Sequence, residues 1–121
     1  MEKGKRRPSE ILGEQIRRIA NITSRSETLS LPSREHQGEL TSHLIVMREI
    51  SEEEIPWAIA ELRGSILVLL GTHHVAAAVM RLEIMETLKF LVARDPTSIN
   101  AARRLTYGPQ TQSWLDGPAS N

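Results

Sequence analysis

The reading of the fold turns on residues 51–93, SEEEIPWAIAELRGSILVLLGTHHVAAAVMRLEIMETLKFLVA. In its first half Ile55, Ile59, Leu62, Ile66 and Leu69 recur every three or four residues, the spacing that puts side chains on one face of an α-helix. Ser51 and Glu54 read as a capping box, and Glu52, Glu53 and Glu54 suit the positive end of a helix dipole. Pro56 is tolerated in a first turn and moves the expected start to about Ile55. The tail Ile66-Leu67-Val68-Leu69-Leu70 is apolar all round, which predicts burial in the chain's own core or against a second copy. Gly71 then reads as a C-cap and Thr72 as the N-cap of a second helix.

That second helix is expected from about His73 to Ala93. Val75, Val79, Leu82 and Leu88 line one side, and Ala77, Met80, Ile84 and Leu91 widen the apolar surface well beyond it. Two helices joined by so short a turn form an antiparallel hairpin, here a core hairpin over residues 52–93. Neither half reaches the length of a membrane span, because Gly71-Thr72-His73-His74 interrupts the apolar run.

On the N-terminal side, residues 1–8 read as a basic flexible arm. Pro8-Ser9-Glu10 opens a short amphipathic helix, with Ser9 as N-cap and Leu12, Ile16 and Ile19 on one face, ending near Asn21. Residues 23–38, rich in Ser, Glu, Thr and Arg, read as a linker or mobile loop. In Glu39–Ile50, Leu40, Leu44 and Met47 repeat at helical spacing, whereas the run Leu44-Ile45-Val46-Met47 also suits a buried strand. Helix is expected there, and a small β-ribbon around residues 28–50 is the alternative. Beyond the hairpin, Asp95-Pro96 opens a last short helix with Ile99, Ala102 and Leu105 on its apolar face. Residues 117–121 read as a frayed tail. The whole chain, residues 1–121, is expected to be a single, all-α domain: the hairpin with short N- and C-terminal helices packed on it.

Composition narrows the function classes. Only four aromatics, Trp57, Phe90, Tyr107 and Trp114, occur in 121 residues, so the core is aliphatic and suits helix-on-helix packing. The net charge is zero, which leaves no global field to draw nucleic acid or a membrane surface. Its distribution is uneven: residues up to Arg25 are net basic, Ser26–Glu61 net acidic and the rest slightly basic. The absence of cysteine excludes disulfides, thiolate metal sites and cysteine nucleophiles. No apolar run follows the basic start, so no secretory signal is read, and a cytoplasmic location is expected. Without such a signal the Asn21-Ile22-Thr23 sequon has no consequence.

Three groups of residues suggest chemistry. His73-His74 point about 100° apart on a helix, His36 and His43, seven residues apart, could share a helix face, and no His pair at the i, i+4 spacing of zinc ligands is present. They are read as turn and surface residues. Glu52, Glu53 and Glu54 already have a role at a helix start, and nothing in the sequence gives them the burial an acid–base catalyst needs. No catalytic residue, cofactor or metal is therefore expected, and the protein is read as non-enzymatic. The third group is basic: Lys3, Lys5, Arg6 and Arg7, followed by Arg17 and Arg18, form a patch able to contact phosphates.

The C-terminal stretch Ala101–Trp114 resembles a helix-turn-helix of the phage-repressor kind, in which a small-residue helix ending in Arg-Arg-Leu precedes a turn and a Pro-Gln-Thr helix start. The resemblance implies Gln110, Thr111 and Gln112 at base edges and Arg103 and Arg104 near phosphate. It departs from that family at Thr106, where the turn favours glycine, and in a second helix one residue short before Trp114.

The apolar surplus of the hairpin points elsewhere, to self-association. It exceeds what two helices can cover, and a two-fold homodimer is the simplest way to bury the excess. The residues expected at that dimer or partner interface are Ile59, Leu62, Ile66, Leu69, Val79, Leu82 and Met85. The expected function is a self-associating helical adaptor or regulator that binds a protein partner through apolar helix surface. A nucleic-acid-binding regulator using the basic arm and the C-terminal stretch is the alternative. No membrane partner is expected.

Overall fold

The computed structural model describes residues 6–25, 34–72 and 75–105. They form five α-helices: α1 (Pro8–Arg25), α2 (Arg34–Arg48), α3 (Ile55–Leu70), α4 (Val75–Arg94) and α5 (Ser98–Ala102). A single 3₁₀ turn, Glu52–Glu54, leads into α3. Among the described residues there is no strand, so the β-ribbon alternative fails over Arg34–Ile50; its other half, Leu29–Leu31, lies outside them.

The helices pack in the ring order α1–α2–α4–α3, with α5 laid on α3. Contacts give the directions. The start of α1 meets the start of α3, where Ser9 Oγ donates to Glu54 Oε1 at 2.8 Å and the Arg7 guanidinium lies 4.0 Å from the Trp57 ring centre. These two helices therefore run parallel. So do α2 and α4, with Thr41 facing Glu83 and Arg48 over the Phe90 ring at 5.0 Å. The expected α3–α4 hairpin is present, but α3 packs more extensively on α1 than on α4.

The core follows the apolar spacing. Ile16 and Ile19 of α1, Leu40, Leu44 and Met47 of α2, Ile55, Ile59, Leu62 and Leu69 of α3, and Ala77, Met80, Ile84 and Leu91 of α4 are buried in one cluster. Among the described residues it contains no aromatic side chain.

Several local expectations are corrected. The 23–38 linker is shorter than its composition suggests: Thr23–Arg25 belong to α1 and Arg34–Gly38 to α2. Thr23 is 6% exposed and its hydroxyl donates to Met80 Sδ at 3.2 Å, so tertiary burial extends α1 through residues that locally favour a loop. The capping box does not form, because Ser51 makes no side-chain cap and the Glu54 carboxylate turns to Ser9 on α1 and to Arg7 just before it. Gly71 has φ −84°, so no left-handed cap forms. Arg81 Nη1 instead donates to the Leu69 carbonyl at 3.2 Å and satisfies the end of α3 from α4.

Arg94 does the same for α2, donating through Nη1 to the carbonyls of Arg48 at 2.7 Å and Ile50 at 2.9 Å. Hydrogen bonds to a charged donor contribute about 1.5–3 kcal/mol each in favourable settings, less when part-exposed as here. Arg94→Ala is expected to lower stability by about 1–2 kcal/mol, read as a fall in the urea midpoint at unchanged slope. Asp95 holds the start of α5: the Ser98 N–H donates to its carbonyl at 3.0 Å, and Thr97 Oγ1 donates to its carboxylate at 2.8 Å, a bond that keeps the Asp95 pKa below the ordinary value.

Candidate functional site

Two features stand apart from the plain core: a buried ion pair between α1 and α3, and the apolar residues that α4 and α2 leave outside.

The first begins with Gly13. A Cβ there would sit 2.6 Å from both Cβ and Cδ of Glu61 and closer still to Oε1. The missing side chain is what lets α3 carry a Glu against the α1 backbone. The Glu61 side chain is 1% exposed, and Arg17, one turn beyond Gly13, reaches it with Nη2 at 2.6 Å from Oε1. The approach is close but poorly aligned, so both carboxylate oxygens and Arg17 Nε lack a geometrically sound hydrogen bond. Burial pushes the Glu61 pKa up to about 7; Arg17 opposes that rise, and Glu10 and Glu14 add to it. A carboxyl that titrates near neutrality often marks chemistry. Glu61 is 2% exposed as a residue, however, and does not line the depression between α2 and α4 or the one along α1.

Among the described residues, four of the six basic residues read as phosphate contacts are paired with carboxylates. Arg6 pairs with Glu14 and, at 3.7 Å, with Glu10. The Glu14 hydrogen bond raises the Arg6 pKa and, reciprocally, lowers that of Glu14. Arg7 pairs with Glu54 at 3.3 Å, Arg17 with Glu61, and Arg18 with Glu39 at 2.6 Å. Arg103 and Arg104 are exposed just after α5. Lys3, Lys5, Gln110, Thr111 and Gln112 lie outside the described residues, as do His73-His74, the rest of the helix-turn-helix-like stretch from Thr106 on and the 117–121 tail. His36 and His43 both lie half-buried on α2, and among the described residues no three His, Asp or Glu side chains gather to hold a metal. Among the same residues no helix is long and apolar enough to cross a membrane. Asn21 of the sequon is exposed on α1, while its Thr23 is buried against Met80.

The seven residues expected at an interface divide cleanly. Ile59, Leu62 and Leu69 are 0% exposed and Ile66 is 8% exposed, so their surface is used within the chain. Val79 is half-buried, and Leu82 and Met85 stand outside at 65% and 42% exposure. Val75 at 58% and Leu70 at 55% join them near the α3–α4 turn. Sequence periodicity could not make this division, because α4 is apolar around most of its circumference. Which half turns inward is decided by α2 and α3, which flank it.

Two surface residues have no distinguishing signal in the sequence beyond the ambiguous run 44–47. Ile45 and Val46 of α2 are 55% and 52% exposed, and Ile45 lines a depression between α2 and α4. A second depression is lined by Glu14, Arg17, Arg18, Asn21, Ile22 and Arg25, all from α1.

No protein-family model, curated protein or solved structure matches the chain.

Proposed function

We propose that the protein is a non-enzymatic, self-associating helical adaptor in which the outward face of α4 pairs with the same face of a second copy. The carrying observation is Leu82, the most exposed large apolar side chain among the described residues, in a bundle whose core closes without it. Val75, Ala78, Leu82 and Met85 follow a three–four–three spacing, that of the a and d positions in a helix pair. Ala78 is small enough to let a second helix approach. A face of one convex helix is complementary to its own copy about a two-fold axis, the commonest oligomer symmetry.

The competing nucleic-acid reading draws less support. Arg6, Arg7, Arg17 and Arg18 each have a carboxylate partner within the chain, and releasing any of them would cost an existing contact.

Leu82→Asp tests the dimer. The residue is exposed, so the fold should lose no more than about 0.5 kcal/mol, while a charge at the centre of the seam should weaken association at least about tenfold. Sedimentation equilibrium on both chains decides it. A variant that associates as tightly as the wild type excludes the α4 face.

A further inference from the structure

We propose that the depression between α2 and α4 is the docking site for an amphipathic helix of a protein partner, one with an apolar ridge and basic residues along one edge. The proposal rests on the adaptor reading and names the chemistry of its partner.

The groove has about 240 Å³ of room, below the range of about 300–1,000 Å³ common for small-molecule pockets and suited to one or two side chains. Its floor is Leu44, 4% exposed, and Thr87, 1% exposed, whose hydroxyl is already spent on the Glu83 carbonyl at 3.2 Å. An apolar anchor such as Leu or Met therefore meets an apolar floor, the arrangement of an interface hot spot. Ile45, 55% exposed, adds apolar surface on the α2 wall. The two walls are parallel helices, so the furrow between them runs lengthwise and accepts a third helix.

Charge selects the occupant. On the α4 wall Glu83 and Glu86 lie one turn apart. Glu86 forms no ion pair among the described residues, and Glu83 receives only a long, 3.5 Å contact from Thr41. All five of the ion pairs found there involve a residue at or before Arg18, which leaves this acidic wall unmatched. Arg48 stands at the far end of the groove, stacked on Phe90. A helix with Lys or Arg three or four residues either side of its anchor meets Glu83 and Glu86, and an acid one turn further on meets Arg48.

The probe is a synthetic helical peptide of about 18 residues with a Leu stripe flanked by Lys, compared with the same peptide carrying Glu in place of Lys. Binding is measured by fluorescence anisotropy to the full chain carrying Leu82→Asp, so that the α4 seam cannot compete. Circular dichroism confirms that each variant is folded. The Lys peptide is expected to saturate and to bind at least about tenfold tighter than the Glu peptide. Glu83→Lys with Glu86→Lys should reverse that preference, and Ile45→Asp should abolish binding of both. No saturable binding, equal binding of both peptides, or a Lys preference that survives the double variant overturns the proposal. The dimer reading is judged separately, since a wild-type chain that dimerises while the Leu82→Asp chain binds no peptide loses only the groove.

Discussion

Gly13→Ala is expected to destabilise the protein by about 2–3 kcal/mol, although alanine is the better helix former by about 1 kcal/mol. The new Cβ falls 2.6 Å from both the Cβ and the carboxyl carbon of Glu61. These atoms are confined by α1 itself, and the Glu61 side chain is 1% exposed with no open space to swing into. The helices must part, and α1–α3 is the most extensive packing in the bundle. Gly38 supplies the control. It lies in α2 with nothing within 4 Å of the point a methyl group would occupy, so Gly38→Ala should stabilise the chain by up to about 1 kcal/mol. Urea unfolding of the two single variants separates packing from propensity. Equal effects would mean that α1 and α3 leave room for a methyl group between them.

The second large effect is at Arg17. Removing it leaves the Glu61 carboxylate buried and unpaired, which costs about 3–5 kcal/mol when the acid is ionised. Burial holds Glu61 at about 7 in the folded chain, against an ordinary value of 4.5. The folded state therefore binds the proton more tightly than the unfolded state. This group's contribution is most favourable below pH 4.5 and is lost as pH rises through 7, by about 3 kcal/mol over that window. Arg17→Ala should be most damaging at pH 8 and far milder at pH 5, where Glu61 carries a proton and needs no cation. Glu61→Gln should flatten the profile and make the chain more stable than the wild type at pH 8. Thermal unfolding at pH 5 and 8 for the three chains checks all of this. An Arg17→Ala penalty that does not change with pH would remove Glu61 as its cause.

Much of the bundle is legible from residue spacing. The α3 stripe, the Leu40–Leu44–Met47 repeat and the Leu12–Ile16–Ile19 face each imply one helix and its inner side, and each is found there. Other features depend on contacts between residues far apart in the chain. Thr23 continues α1 because Met80 receives its hydroxyl, and Glu54 abandons the local capping box because Ser9 lies opposite. The Gly13–Glu61 contact joins positions 48 residues apart; its trace in the sequence is a glycine three residues before Ile16, on the face that turns inward, and an acid inside an apolar stripe. On α4 the apolar residues go nearly all round, so the periodicity has no preferred side. Leu82 and Met85 stay outside as surplus apolar surface, whereas Ile59, Leu62, Ile66 and Leu69 are consumed by the bundle core.

Self-association through α4 is the claim on which the adaptor reading depends. Sedimentation equilibrium of the wild-type chain at about 0.1 M and about 1 M salt tests it most directly, because an apolar seam is insensitive to a change in ionic screening that weakens charge-driven contacts. A mass twice the 13.6 kDa of the chain at both salt concentrations is the result expected. A mass of 13.6 kDa up to the highest concentration reached would contradict it and leave the α4 face as exposed surface on a monomer.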